Sequence, residues 1–455
     1  MIDWVTLRLA PSLAAGLIAF SHTDRVGMGL IVLFSMLFAT LAIERAGLPL
    51  HLMPASRVIL GIFTPVIGGG IAWLVAIAAQ GPFNYVDFEV VVLGALLVMA
   101  LGAWIKARLE EGLQARVAVI GSREFAADFT GELEAAGVRT YNVVGWIDNG
   151  EHSAEYRNLK HLGSLEDVRS AVISQCIDLI VAAPSAGGGD GGPDDVYARV
   201  ADQCLDMPVR LIAANQLYEE VLGHVPVGTI DAAWYRYIMH PRFHAAAPAS
   251  KRIFDLIVGS LIAIAFLPLM LIAAAAIKLG DRGPIFYRQR RLGEFGEAFD
   301  ILKLRTMGTD AERDGPQWST PGDARVTRVG RVLRRSHLDE VPQLINVLRG
   351  EMTLVGPRPE RPEMVSELER RFNHYTRRHL VKPGIAGWAA LRCGYAGTDL
   401  GTAWKLCHDL FYIKRRSVLA DALILAETGV EVFRDAHRAL RAPRERFLIG
   451  DKPHV

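Results

Sequence analysis

Between Ile253 and Ile277 the chain is apolar for about 25 residues, enough to enter or cross a bilayer, where a span takes about 20. Only Asp255 near its start and Pro268 past its middle interrupt it. Lys251 and Arg252 precede it, and Lys278 and Arg282 follow it. A simple span would leave one basic end outside, against the tendency of Lys and Arg to stay on the cytoplasmic side. Pro268 removes a backbone donor and bends a helix. The sequence therefore predicts a re-entrant helix that enters, turns at Leu267-Pro268 and returns, with both basic ends inside. The carbonyls freed at the turn need partners from neighbouring protein or polar groups. An ordinary kinked span is the alternative.

Four further apolar runs precede it, at about Ala10–Phe20, Val26–Ile43, Val58–Ala79 and Val90–Trp104. They predict a four-helix transmembrane bundle over residues 1–110, and the first run reads as a span, not a cleaved leader. Arg45 and Arg57 lie between the second and third runs, and Lys106 and Arg108 follow the fourth. The stretch from Gln80 to Asp87 carries no Lys or Arg, so the basic loops and the N-terminus are expected in the cytoplasm.

Residues 111–240 read as a Rossmann-like α/β domain. Val117–Gly121, Val143–Ile147, Ile177–Ala182 and Val209–Ile212 are strand-like and alternate with helical stretches. The first turn, Gly121-Ser122-Arg123-Glu124-Phe125, lacks the second and third glycines that let a pyrophosphate approach a helix. Its nucleotide site is therefore degenerate. A packing or regulatory role is the preferred reading.

Residues 241–455 form the third region, a mainly α (α+β) domain that includes the re-entrant helix. The chain's net charge of +1 hides an asymmetry: from Lys251 onward 34 Lys and Arg face 24 Asp and Glu. A basic C-terminal half calls for an anionic partner such as phosphate groups or anionic lipid. No aromatic RNA-binding signature or helix-turn-helix pattern is present, so nucleic acid is not the partner. The four cysteines form no CxxC pair, which argues against zinc.

The chemistry concentrates between Asp323 and Glu360. Ser336 can cap a helix with apolar positions Leu338, Val341, Leu344, Ile345 and Leu348. Asp339 and Glu340 then fall in its first turn, where the helix dipole would keep Asp339 ionised and attract a phosphate beside it. Adjacent helical residues point about 100° apart, so one carboxylate can attack phosphorus while the other holds magnesium (Mg2+). Arg325, Arg328, Arg331, Arg334 and Arg335 can neutralise a diphosphate. Gly356-Pro357-Arg358-Pro359 and Lys382-Pro383-Gly384 are stiff turns that fix a guanidinium and an ammonium. Two strands, Phe286–Arg291 and Phe299–Met307, form a hairpin around Gly293–Gly296, and alternation puts Lys303 and Arg305 on one face. Taken singly, an acidic pair is more often a helix cap, and a basic motif a solvated surface.

Together these pieces resemble the bacterial sugar transferases, the polyprenyl-phosphate hexose-1-phosphate transferases. The resemblance rests on Lys251-Arg252-Ile253-Phe254-Asp255, the Pro268 break, Lys303-Leu304-Arg305-Thr306-Met307, Leu338-Asp339-Glu340-Val341-Pro342-Gln343, Gly356-Pro357-Arg358-Pro359, Lys382-Pro383-Gly384-Ile385-Ala386-Gly387-Trp388 and Asp409-Leu410-Phe411-Tyr412-Ile413-Lys414, in family order. The N-terminal spans and α/β domain look like the large, multi-domain branch. After Trp388 many members carry Asn-Gly-Arg. This chain reads Leu391-Arg392-Cys393-Gly394-Tyr395-Ala396-Gly397, closer to the exopolysaccharide-associated branch.

The resemblance implies an inner-membrane enzyme with its catalytic domain in the cytoplasm. Asp339 would attack the sugar-bearing phosphorus of a UDP-hexose, expel UMP and pass the sugar phosphate to polyprenyl phosphate. Glu340 would hold Mg2+. Lys303, Arg305, Arg334, Pro357, Arg358 and Lys382 would contact substrate. Membrane lipid, a second copy of the chain and downstream glycosyltransferases are the other expected partners. The alternatives are a glycosyltransferase that releases UDP and a non-enzymatic scaffold for polysaccharide assembly. The C-terminal segment Glu431–Arg446 reads as an amphipathic or a solvated helix.

Overall fold

The computed structural model describes residues 53, 114–148, 159–183, 193–227, 230, 249–309, 311, 323–393 and 399–434. The expected bundle over 1–110, apart from Met53, and the Glu431–Arg446 segment beyond residue 434 lie outside these residues. The chain divides into two compact units, Met1–Gly223 and His224–Val455.

In the first unit, β1 (Ala115–Ile120), α1 (Arg123–Ala135), β2 (Tyr141–Asp148), β3 (His161–Ser164), α2 (Val168–Gln175), β4 (Leu179–Ala182), α3 (Pro193–Cys204) and β5 (Arg210–Ala213) follow one another. The strands form a parallel sheet in the order β3-β2-β1-β4-β5. The expected strand–helix alternation is present. β4 is fully buried over its four residues, the run of apolar side chains that a central parallel strand requires. β3 was not foreseen: His-Leu-Gly-Ser has no apolar alternation, because it is an edge strand with two exposed residues. Ser122 caps α1, accepting from the Phe125 amide at 3.2 Å. Gly121 has φ +146°, and a Cβ there would stand 2.6 Å from the Ala183 Cβ. That glycine closes β1 against β4.

The second unit is built around α4 (Ala249–Asp281), a 33-residue helix with Pro268 inside. Helical structure runs through Pro268, so the bend expected at Leu267-Pro268 does not end the helix. Proline removes one amide donor, and the apolar residues on both sides keep the rest of the ladder. The two ends are packed and the middle is not. At the start, Lys251 is ion-paired with Asp421 and donates to the Val355 carbonyl at 3.2 Å. Asp255 accepts from Thr353 Oγ1 at 2.6 Å and from the Leu354 amide at 3.1 Å. At the end, Ala273 and Ile277 are buried with Leu304 and Leu333. Between them Leu261, Ile264 and Leu271 are each more than 60% exposed.

Both anchors belong to one fold. β6 (Phe286–Leu292) and β7 (Ala298–Leu304) make the expected antiparallel hairpin, with Tyr287 opposite Lys303. Met307 continues beyond β7 only as an isolated bridge to Val326. Then come α5 (Arg328–Arg335), α6 (Gln343–Arg349), β8 (Thr353–Val355), α7 (Pro362–Arg371), β9 (Gly384–Ala386), α8 (Trp388–Cys393), α9 (Asp399–Arg415) and α10 (Val418–Arg434). β8 and β9 pair in parallel, Thr353 with Gly384 and Val355 with Ala386. Tyr412 of α9 donates to the Val355 carbonyl at 2.7 Å and touches Asp421 of α10 at 2.8 Å. One buried polar network thus joins the start of α4 to β8, α9 and α10.

Asp421 is fully buried and is the carboxylate beside Lys251. Asp421→Ala should therefore leave a buried ammonium uncompensated and cost about 3–5 kcal/mol. Thermal unfolding in detergent measures this, and an unchanged melting temperature would remove the network from the stability of the fold.

Candidate active site

Asp339 and Glu340 sit in a single 3-10 turn, Leu338–Glu340, between α5 and α6. This corrects the capping expectation. Ser336 does not start a helix; it ends α5, its hydroxyl donating to the Val332 carbonyl at 2.9 Å. His337 then takes a left-handed conformation, φ 54°, and Pro342 precedes α6 with no side-chain cap. The helix is interrupted because His337 reverses the chain and Pro342 cannot donate within a preceding turn. The acidic pair is consequently outside the first turn of α6.

Direct cations do what the helix dipole was expected to do. Glu340 Oε1 accepts from Lys303 Nζ at 2.8 Å and from Arg358 Nη2 at 2.5 Å, and Oε2 accepts from Arg358 Nη1 at 3.3 Å. Burial alone would raise the Glu340 carboxyl, but Arg358 and Lys303 outweigh it and hold it well below the usual carboxylate range. Asp339 behaves oppositely. Burial and the neighbouring Glu340 raise its carboxyl, against the pull of Lys303, Arg334 and His337. The expectation that its surroundings favour the ionised form is corrected in direction.

Each cation is placed by its element. Lys303 reaches Glu340 because β7 is tied to α6 by the buried Asn346: its Oδ1 accepts from the Leu302 amide at 3.0 Å and its Nδ2 donates to the Asp300 carbonyl at 2.8 Å. Burial lowers the Lys303 ammonium. Arg334 lies on the last turn of α5 and donates from Nε to Thr306 Oγ1 at 2.9 Å. α5 can approach Thr306 because position 330 is glycine; a Cβ there would stand 1.9 Å from the Thr306 carbonyl. Arg358 is presented by the expected turn: the Gly356 amide donates to Ala386 and the Pro357 carbonyl accepts from Gly384, both at 2.9 Å. Pro357 is buried and shapes this turn.

The other expected site residues lie elsewhere. Arg305 follows the end of β7 with its guanidinium against Gly283, where a Cβ would stand 2.3 Å from Nη1. Lys303 and Arg305 therefore serve different surroundings. Arg325 is engaged by Asp323 at 2.6 Å. Lys382 faces a separate cavity at the start of α4.

A second ring of charge under the Arg358 turn was missed as a set. Arg378 is buried, donates to the Arg358 carbonyl at 3.0 Å and pairs with Asp409 at 2.7 Å. Arg291 donates to the Pro359 carbonyl at 3.1 Å. Glu360 closes the ring with Lys405, Arg378 and Arg291. The only sequence signal was Asp409 in its motif and the charge of the segment; pairing across 31 residues has no local pattern.

Among the described residues, no three His, Cys, Asp or Glu side chains are placed to hold a metal ion by themselves. Magnesium, however, usually takes one or two carboxylates and completes its shell with substrate phosphates and water. Glu340 Oε1 already accepts from Lys303 and Arg358, so Asp339 and the more weakly held Glu340 Oε2 are the oxygens that fit that mode, with the remaining ligands coming from a diphosphate.

The bacterial sugar transferase family profile matches residues 246–435, the span that contains this whole arrangement. The chain is 41% identical over 192 residues to a UDP-glucose:undecaprenyl-phosphate glucose-1-phosphate transferase of Caulobacter vibrioides, covering 41% of this chain and 71% of that protein. The chain belongs to the bacterial sugar transferase family. Another relative is a UDP-N-acetylgalactosamine-undecaprenyl-phosphate N-acetylgalactosaminephosphotransferase of Aeromonas hydrophila, 43% identical over 51% of this chain and 54% of that one. An undecaprenyl-phosphate glucose phosphotransferase of Komagataeibacter xylinus is 30% identical over 78% of this chain and 66% of that one. The match thus spans about half the length of the first of these two relatives and 66% of the second. The family similarity is concentrated in the second unit.

The ion ring makes a pH prediction for this sugar transferase. Burial raises the Glu360 carboxyl, but Lys405, Arg378 and Arg291 bring it down from 4.5 to about 2. A lowered carboxyl stabilises the fold fully above pH 4.5, and the contribution disappears as pH falls toward 2. Glu360→Gln should cost on the order of 3 kcal/mol at neutral pH, with a gap that narrows as pH falls below 4.5. Unfolding of both proteins at pH 7, 5 and 3.5 reads the gap; a pH-independent difference would contradict the ring.

Proposed function

We propose that the chain transfers a hexose-1-phosphate from a UDP-sugar to polyprenyl phosphate, with Asp339 as nucleophile and UMP as leaving group. The observation that carries this reading is the fixed cation pair on Glu340 immediately beside a buried Asp339. Two adjacent carboxylates with opposite shifts suit two roles: one is a permanently charged anchor, the other a group that exchanges charge during the reaction.

An Asp339 carboxylate oxygen bonds to the sugar-bearing phosphorus, and the bond from that phosphorus to the bridging oxygen breaks. UMP leaves with that electron pair, and an aspartyl phospho-sugar remains. A polyprenyl phosphate oxygen then bonds to the same phosphorus and releases the Asp339 carboxylate. Splitting the transfer in this way is covalent catalysis. The raised Asp339 carboxyl matches a nucleophile surrounded by little water. Lys303, Arg334 and Arg358 neutralise the phosphates as they arrive, and Arg378 and Arg291 position the Arg358 turn. Mg2+, held by Glu340 with Asp339 beside it, would supply charge neutralisation on the diphosphate.

The reaction joins a soluble donor to a membrane acceptor, which fits the placement of α4. Both of its ends are anchored in one unit, and its middle is apolar and exposed. A helix of 33 residues would reach about 50 Å if straight. The re-entrant course is the reading that keeps both anchors on the cytoplasmic side, and it places the site at the inner face of the bacterial inner membrane. A product of this kind starts exopolysaccharide, capsule or O-antigen assembly. Downstream glycosyltransferases and a second copy of the chain are the proposed partners.

Purified protein in detergent with Mg2+ and polyprenyl phosphate should release UMP from UDP-glucose or UDP-N-acetylgalactosamine. Asp339→Asn should reduce this release by at least about 10³-fold. Release of UDP in place of UMP would select the glycosyltransferase alternative. Turnover unchanged in the variant would remove Asp339 as nucleophile.

A further inference from the structure

A cavity of about 250 Å³ opens at the first turn of α4, lined among others by Lys251, Arg252, Asp255, Glu294, Lys382 and Arg416. Its charges are not equivalent. Lys251 is neutralised by Asp421, and Asp255 is satisfied by the Thr353 hydroxyl and the Leu354 amide. Arg252 donates to the Val347 and Leu348 carbonyls at 2.6 and 2.8 Å, bonds that hold the guanidinium in place without cancelling its charge. Lys382 Nζ makes no hydrogen bond or ion pair among the described residues. Lys382 Nζ and Arg252 Nη2 lie 3.8 and 3.5 Å from where a Cβ on Gly350 would stand, so the two cations are about 7 Å apart at most. Glu294 is the one lining carboxylate without such a partner among the described residues.

Apolar residues close in sequence to its lining are exposed. Ile253 and Ile257, just beyond Lys251 and Arg252 on α4, are 56% and 57% exposed, and Phe295, next to Glu294 at the hairpin tip, is 76% exposed. Paired cations in a cavity, with exposed apolar side chains on the same segments, suit the headgroup level of a bilayer. The volume is below the roughly 300–1,000 Å³ of a drug-sized ligand site and far from that of a nucleotide-sugar. The cavity is also separate from the acidic pair. Arg252 caps the C-terminal end of α6, whereas Asp339 precedes its N-terminal end, and seven helical residues span about 10 Å.

We infer that this cavity binds the phosphate of a membrane lipid on Lys382, Arg252 and Arg416, away from Asp339. Two lipids share that chemistry: the polyprenyl phosphate acceptor, docked before it moves to the reaction, and a bulk anionic phospholipid that seats the domain on the membrane. The inference rests on the reading that α4 is embedded in a bilayer. It does not rest on the identity of the nucleophile.

The test is native mass spectrometry of the full chain released from detergent, titrated separately with polyprenyl phosphate, phosphatidylglycerol and inorganic phosphate. Wild type and Asp339→Asn should retain bound lipid alike, and Lys382→Gln/Arg416→Gln should weaken it by at least 10-fold. Lys382→Arg should keep most of the binding. Loss confined to polyprenyl phosphate identifies an acceptor docking site; loss of both lipids identifies a headgroup site. Lipid binding by the double variant equal to wild type, at an equal melting temperature, overturns the inference. So does retention of inorganic phosphate only. Flotation of wild type with vesicles checks the embedding of α4 independently, and UMP release checks the nucleophile independently.

Discussion

Everything at the site is referred to one carboxylate. Glu340 is bonded on one side to a lysine from a hairpin strand and on the other to an arginine from a proline-flanked turn. The side chains of Glu340 and Lys303 are less than a fifth exposed, whereas that of Arg358 is 49% exposed. The arginine contact still lowers the Glu340 carboxyl more than the lysine contact does, because it is the shorter of the two and reaches both oxygens. The arginine contact adds two-point geometry that a lysine could not supply. Together they fix the 3-10 turn from both sides, and Asp339 is held as a consequence of where its neighbour is held.

That clamp depends in turn on interactions far along the chain. Arg358 projects correctly only if its backbone is held, and Arg378 and Arg291 bind the carbonyls on and after it. Lys303 projects correctly only if β7 keeps its register against α6, which the Asn346 amide enforces. Each tether is a buried polar group whose partner could not be lost without a desolvation penalty of about 1–3 kcal/mol. The site is thus rigid for the same reason that the unit is stable. The network at the start of α4 works by the same logic, since Tyr412 and Asp421 fix β8 and the turn that follows β8 carries Arg358.

Much of this was legible, and the failures share a cause. The parallel strands were readable because central strands are apolar throughout, whereas β3 carries no such pattern at its edge position. The Lys303 hairpin and the Gly356–Pro359 turn were readable because alternation and proline act locally. The acidic pair was found, but its setting was not: apolar spacing from Leu338 to Leu348 suits one helix, and only the left-handed His337 and the capless Pro342 divide it. Arg378, Asn346 and Glu360 were not assigned roles, because a long-range pair leaves no periodic trace. Arg305 was grouped with Lys303 by spacing of two, a rule that lapses where β7 ends at Leu304.

The excess of positive charge in the C-terminal half has a different meaning in three dimensions than in composition. A count of 34 basic against 24 acidic residues suggests an open cationic surface. Yet Lys251, Arg291, Lys303, Arg325, Arg358, Arg378 and Lys405 are each engaged with a carboxylate, most of them in partly or fully buried pairs. At the acidic pair, Lys303 and Arg358 share one carboxylate, so two positive charges face one negative charge there. Pairing a cation with a carboxylate fixes where it stands, so placement at the acidic pair says more about an incoming anion than the count over the whole half. For the proposed transfer, in which two phosphates would meet at one acidic pair, cations fixed at that pair matter more than the surplus of basic residues elsewhere.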